Sequence, residues 1–178
     1  MKAYTNVNLV TCDSAFHVYR DGLLVVEDDR IAYCGPYDEN WLGKCSEIVD
    51  YEGAWIMPGL VNCHTHSAMT LLRGIRDDSN LHEWLEDYIW PAESRFTADL
   101  TTQAVQLALA EMLLSGTTTF NDMYNPQGVD IDRIYQAVRQ SGMRCYFSPT
   151  LFSSEVETAE ETLDRTRTII EKILSYDD

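Results

Sequence analysis

Two histidines separated by one residue, His64 and His66, close an apolar run from Leu60 to Cys63 that reads as a strand buried on both faces. Side chains two apart on a strand point to the same side, so both imidazoles can face one concavity at the C-terminal strand end. Neutral imidazole suits zinc, iron or nickel, and zinc binds it at about 2.0 to 2.1 Å. The chemistry on offer is that of a metal ion held beside a substrate. In an arbitrary sequence a lone His-x-His is more often a pair of core or surface histidines. Here it ends an apolar strand, follows Pro58-Gly59 and comes after a β-rich stretch, and that context favours ligands. The chain has two other histidines, His17 and His82. His82 sits at an apparent helix start without a second metal-binding residue at useful spacing, and reads as solvent-facing.

The elements that must position the pair divide in two. Residues 1–57 read as a small β module, with Val7, Leu9 and Phe16 among β-formers. Leu23 to Glu27 and Arg30 to Cys34 flank Asp28-Asp29, a pair that tolerates the positive φ of a tight hairpin. A polar link from Asp38 to Cys45, a strand near Glu47 to Asp50 and the apolar run Ala54 to Met57 complete the module.

From residue 58 to residue 178 the pattern alternates between strand and helix. Helices are expected over Ser67 to Arg73 and about Leu81 to Ile89, the second interrupted by Pro91. Thr97 is a plausible N-cap for a long helix through Ser115, with Asp99 in its first turn and Gly116 as its stop. Leu100, Ala104, Leu107, Glu111 and Leu114 share one side of it, and Val105, Leu109 and Met112 make it apolar elsewhere too. A strand over Thr117 to Asp122, a helix over Ile131 to Ser141 closed by Gly142, a strand over Met143 to Thr150 and an amphipathic helix from about Val156 to Tyr176 follow. Three β/α units of this kind argue for an α/β fold with parallel strands, the start of a doubly wound sheet or of a (β/α) barrel. A complete barrel takes typically about 250 residues and at least about 200, so three units cannot close one. Either the sheet is open or the chain is incomplete.

Composition narrows the partners. At 178 residues, 45% hydrophobic and 24% charged, the chain has the make-up of a globular protein. Its formal net charge of -16, from 29 acidic against 13 basic residues, and the lack of a basic cluster exclude nucleic acid. The first residues lack a signal-peptide apolar region, and no stretch approaches the roughly 20 apolar residues of a membrane helix, so no membrane contact is expected and a cytoplasmic location is the default. Five cysteines, Cys12, Cys34, Cys45, Cys63 and Cys145, are an odd number without metal-site spacing and read as reduced, mostly buried thiols.

PGLVNCHTH at 58–66, MTLLRG from Met69 to Gly74, EWL from Glu83 to Leu85 and SGTTTFNDMY from Ser115 to Tyr124 together resemble the amidohydrolase superfamily. Within it they are most similar to the 5-methylthioadenosine/S-adenosylhomocysteine deaminases and their chlorohydrolase relatives. The resemblance implies an incomplete TIM-like (β/α) barrel, about the first three β/α units, preceded by the N-terminal part of a β-sandwich that both chain ends build. It implies one divalent ion, Zn2+ or else Fe2+ or another metal, held by His64 and His66 together with two histidines and an aspartate of later strands. Those later ligands, and the family's proton-shuttling glutamate, have no counterpart here, so the catalytic residues are expected beyond residue 178 and the segment alone is expected to be inactive.

The implied substrate is a small adenosine-type nucleoside, converted to its inosine analogue plus ammonia. Glu93 matches the glutamate that hydrogen-bonds the ribose hydroxyls, since a carboxylate offers two acceptor oxygens to the two donors of a vicinal diol. Its other reading is a surface helix carboxylate. Trp84 is a candidate to lie against the purine face, with core packing as the alternative, and core packing is the expectation for Trp90. Asn121 and Asp122 end the second barrel strand, where the family places no metal ligand and a structural hydrogen bond is expected. Some members carry an arginine near the end of the third strand where Pro149 stands here, which weakens the case for an acidic substrate tail. Other superfamily reactions, guanine deamination or triazine dechlorination, stay open, as does a non-catalytic remnant or binding module. A homo-oligomer is compatible with all of these.

Overall fold

A computed structural model of the chain describes residues 1–124, 129–151 and 158–176. It contains two compact units, Met1–Pro58 and Gly59–Asp178.

The first unit is a mostly antiparallel sheet. Strands β1 (Lys2–Val10), β2 (Val18–Glu27), β3 (Arg30–Pro36) and β4 (Glu47–Asp50) lie in the order β3-β2-β1-β4, and β5 (Trp55–Ile56) pairs with the far end of β1. The β2–β3 hairpin turns at Asp28-Asp29 as expected, with Glu27 opposite Arg30 and Asp28 at φ 51°. Strand β1 serves two parallel partners, pairing Lys2 to Thr5 with β4 and Asn8 to Leu9 with β5. The changeover is at Asn6, whose φ is 51° and whose carbonyl accepts the Gly53 N–H at 2.7 Å. The polar link forms a short 3-10 helix over Glu39–Lys44, and its Trp41 and Leu42 pack with Cys45 against buried Ala3, Leu23 and Val25. Phe16 departs from expectation. It is 81% exposed at φ 53° in the turn between β1 and β2.

The second unit carries a three-stranded parallel sheet, β6 (Leu60–Thr65), β7 (Thr117–Tyr124) and β8 (Arg144–Pro149), with β7 in the centre. A 3-10 helix over Ser67–Leu72 replaces the first expected helix. Next come α1 (Leu81–Glu83), a π-helical turn over Trp84–Ile89 and α2 (Trp90–Glu93), which run on into one another. Pro91 therefore does not end that helix. It sits in the first turn of α2, where a missing N–H is tolerated, directly after a widened turn that closes with the Trp90 N–H on the Leu85 carbonyl.

Helix α3 (Ala98–Leu114) begins as the sequence predicts, with Thr97 Oγ1 accepting the Leu100 N–H at 3.2 Å, and stops at Gly116, φ +84°. Its packed stripe is Thr101, Ala104, Val105, Ala108, Leu109 and Met112. Leu107 and Leu114 are turned out, Leu114 being 90% exposed, while Ala104 from the same side packs with Val105, Leu109 and Met112. Helix α4 (Ile131–Ser141) is capped by Asp130 and closed by Gly142 at φ +73°. One core joins α3 and α4 to the sheet through Phe120 of β7, with Val105, Leu109, Met112, Ile134, Ala137 and Met143 around it.

Helix α5 (Ala159–Leu174) opens on a capping box between Thr158 and Glu161, while Val156 and Glu157, at the start of the expected helix, lie outside the described residues. It is tied to α4 by polar and ring contacts. Asp132 accepts hydrogen bonds from Lys172 Nζ and the Tyr176 hydroxyl, each at 2.6 Å, and Tyr176 stacks on Tyr135 with centroids 3.9 Å apart. The cysteines are free, but Cys12, Cys34 and Cys63 are exposed rather than buried, since each falls in a turn or on an outward strand position. Burial pushes the Cys145 thiol up to about 12.

A Cβ added at Gly59 would run into the Thr118 side chain, including Cβ of that β-branched residue at 2.7 Å, which has little freedom to turn away. Gly59→Ala should cost about 1 to 3 kcal/mol of stability, read as a lower urea midpoint; an unchanged midpoint would refute the clash. The Lys172 and Tyr176 donors hold the Asp132 carboxyl below its ordinary range. A depressed folded-state pKa stabilises above the unfolded value of about 3.9 and stops doing so as pH falls through the folded value. Asp132→Asn should therefore lower the thermal midpoint at pH 7 and cost progressively less on acidification; equal losses at pH 7 and pH 2 would contradict the linkage.

Candidate metal centre

The histidine pair stands on an irregularity in β6. Asn62 pairs with Phe120 and Thr65 with Asp122, so three steps along β6 match two along β7, a bulge at Cys63-His64. Its off-ladder backbone groups are satisfied by side chains. The His64 N–H donates to Asn62 Oδ1 at 3.2 Å, and the Cys63 carbonyl accepts Asn121 Nδ2 at 3.2 Å. Asn121 Oδ1 also accepts the Ser148 hydroxyl at 2.8 Å, so one amide spans all three strands. His66 leaves the strand at φ −128°, ψ 71° and caps the 3-10 helix, its carbonyl accepting the Met69 N–H at 2.9 Å.

Both imidazoles are exposed, and their centroids lie 5.0 Å apart at 81° to one another. They do come side by side, though through a bulge rather than through strict strand alternation. Two adjacent, accessible nitrogen donors fit part of the ligand set of a divalent ion; zinc sites take three or four protein ligands. Among the described residues no group of three or more His, Cys, Asp or Glu side chains is placed to hold a metal. An open cleft lined by Asn62, His66, Thr70, Glu111 and Ser115 takes in His66 but not His64, so it is not where the two rings converge.

Asp122, expected to make a structural hydrogen bond, does so. It is 1% exposed and shares with Phe120, two residues earlier, the face of β7 turned towards the helices. Its Oδ1 accepts the Ser67 N–H at 2.8 Å and lies 2.9 Å from Thr65 Oγ1, and its Oδ2 accepts the Ser67 hydroxyl. The Thr65 proton is shared, since the Asn121 carbonyl also lies 2.9 Å from that oxygen. Burial raises the Asp122 carboxyl above its ordinary range, against these hydrogen bonds and the neighbouring His66, which all pull it down. Thr65 and Ser67, the two neighbours of His66, were not legible as site residues. The only signal was that short hydroxyl side chains bracket His66.

The remaining candidates lie on the helical run after the 3-10 turn. Trp84, within the π turn, and Glu93, at the end of α2, are half-buried; His82 is exposed as expected, whereas Trp90 is 41% exposed and does not pack in the core. Burial raises the Glu93 carboxyl above its ordinary range, and among the described residues it accepts no hydrogen bond. Neither Glu93 nor Trp84 makes a hydrogen bond or ring contact with the histidine pair among the described residues.

Residues 55–177 match the family model described as the amidohydrolase family. The 5-methylthioadenosine/S-adenosylhomocysteine deaminase of Bacillus cytotoxicus is 48% identical over 151 residues, 85% of this chain and 35% of the relative, and that of Bacillus cereus is 45% identical over 160 residues. The chain thus spans about a third of the length of these curated relatives. Among solved structures, zinc-complexed atrazine chlorohydrolase TrzN of Arthrobacter aurescens superposes with a TM-score of 0.82 at 19% identity, covering 100% of this chain and 44% of the other. An adenosine deaminase of Xanthomonas campestris with bound zinc does so with a TM-score of 0.73 at 27% identity, covering 98% and 40%. These likenesses show that the chain shares the mixed α/β fold of the two neighbours. With the family model spanning well over half of its residues, and the histidine pair standing where the first parallel strand ends, the chain belongs to the amidohydrolase family.

Proposed function

We propose that this chain supplies the first-strand metal ligands, His64 and His66, of a hydrolytic deaminase acting on adenosine-type nucleosides. 5'-Methylthioadenosine and S-adenosylhomocysteine are the substrates suggested by the relatives' names, with the inosine analogues and ammonia as products. In this reading residues 1–57 are the N-terminal part of a composite β-sandwich and residues 58–178 the first three units of a TIM-like barrel. The remaining ligands and the proton-shuttling group come from protein outside this segment.

The observation that carries the proposal is two accessible imidazoles 5.0 Å apart at the end of the first parallel strand. A bound zinc ion would supply Lewis acidity and draw the pKa of water towards 7, which is what attack on the amino-bearing purine carbon requires. Glu93 is assigned to the ribose. Its carboxylate is half-buried and without a donor among the described residues, so a vicinal diol would replace the hydration that burial removes. Trp84, half-buried on the same helical run, is assigned to the purine face.

Chelation of the ion from the complete protein should abolish deamination, and zinc should restore it. His64→Ala or His66→Ala should lower both zinc content and turnover by orders of magnitude, and the isolated 178-residue chain should stay inactive with zinc added. Full turnover by that isolated chain would overturn the division of ligands. Glu93→Gln separates the nucleoside reading from a guanine or triazine one: it should cost about ten- to a hundredfold in kcat/KM on ribosylated substrates, the range of a lost charged hydrogen bond, and spare a free base. Equal losses on both classes would remove Glu93 from the ribose.

A further inference from the structure

Asp122 is a buried carboxylate that the proposed chemistry does not use. Both of its oxygens are occupied, and every side-chain donor it meets belongs to residue 65 or residue 67. It is 1% exposed, and its neighbour on the same face of β7 is Phe120, in the apolar core with α3 and α4. An apolar side chain would suit that layer at less cost, because removing a carboxylate from water is unfavourable unless specific partners answer it. The partners here are placed about one residue. Thr65 and Ser67 bracket His66, and the backbone between them changes there from strand to 3-10 helix at φ −128°, ψ 71°.

We propose that Asp122 is the positioning residue of the histidine pair: by accepting hydrogen bonds from both neighbours of His66, it fixes the backbone from which that imidazole reaches the ion. The inference rests on the reading of His64 and His66 as metal ligands. Asp122 itself is not a ligand, since its oxygens are committed and it has no access to solvent. The adjacent residue completes the device from the other face of β7, where Asn121 holds the Cys63 carbonyl immediately before His64. Loss of the carboxylate frees residues 65 to 67 to adopt other directions, and an ion that needs both rings then binds less tightly.

The test measures zinc affinity of the complete protein by competition with a chromophoric chelator, alongside the visible spectrum of the cobalt-substituted protein and the thermal midpoint of the metal-free form. Asp122→Ala should weaken zinc binding by about tenfold or more, as loss of outer support to a metal ligand does, and should alter the cobalt bands. Asp122→Asn should recover most of the affinity, because its carbonyl still accepts the Ser67 N–H and its amide can donate to the Ser67 hydroxyl. Wild-type affinity and cobalt bands in Asp122→Ala, with only the metal-free midpoint lowered, would overturn the proposal and leave Asp122 as a fold residue. If that variant does not fold, the double change Thr65→Val with Ser67→Ala carries the test: a severalfold loss of affinity is expected, and none would overturn it. Should His64→Ala and His66→Ala bind zinc as the wild type does, the ligand reading fails as well, whatever Asp122 does.

Discussion

An extra residue in one strand of a parallel pair leaves an N–H and a C=O with no ladder partner, and a segment that carries them persists only if something else takes them up. At Cys63-His64 two asparagines do so, Asn62 from within the bulged strand and Asn121 from the strand beside it. His64 stands on that irregularity, and the exit of the chain at His66 into the 3-10 helix follows directly after it. Strand β7 serves it from both faces. Asn121 reaches the bulge and β8, and Asp122 reaches the turn beyond. The central strand of the sheet is thus a frame for the first strand, while its own placement is secured by Phe120 in the core beneath.

Different forces hold the rest. The first unit depends on a strand that changes partners at a single positive-φ asparagine, and on a short helix laid over Ala3, Leu23 and Val25. The α3 and α4 layer is held by close apolar contact. Helix α5 hangs on a carboxylate, an ammonium and two stacked phenol rings, with Thr162 as its only buried residue among those described.

Elements with strong local chemistry were legible in the sequence. Thr97, Gly116 and Gly142 mark their helix ends because caps and left-handed residues act within one turn. Asp28-Asp29 announces its hairpin for the same reason. The spacing of His64 and His66 at the end of an apolar run was enough to expect the two rings side by side. What could not be read depends on partners far along the chain. Which side of α3 packs could not be read, because Leu107 and Leu114 look as apolar as Val105 and Met112 and only the tertiary partners select between them. Trp90 was placed in the core on its bulk alone, yet lies 41% exposed. The bulge left no trace, since Asn121 and the Cys63 carbonyl it holds lie 58 positions apart and neither residue is unusual in its own segment.

The π turn over Trp84–Ile89 is in effect one residue of slack wound into a helix. Each residue of an α-helix turns about 100° about the axis, so deleting a single residue there and relaxing to regular α geometry would swing Leu81 to Glu83 by that angle relative to Glu93. A lone deletion between Trp84 and Ile89 would therefore act as a rotation of one helix end against the other. In lineages that differ by one residue in this stretch, the carboxylate at the helix end and the residues before it would face different surroundings with no change in the identity of either.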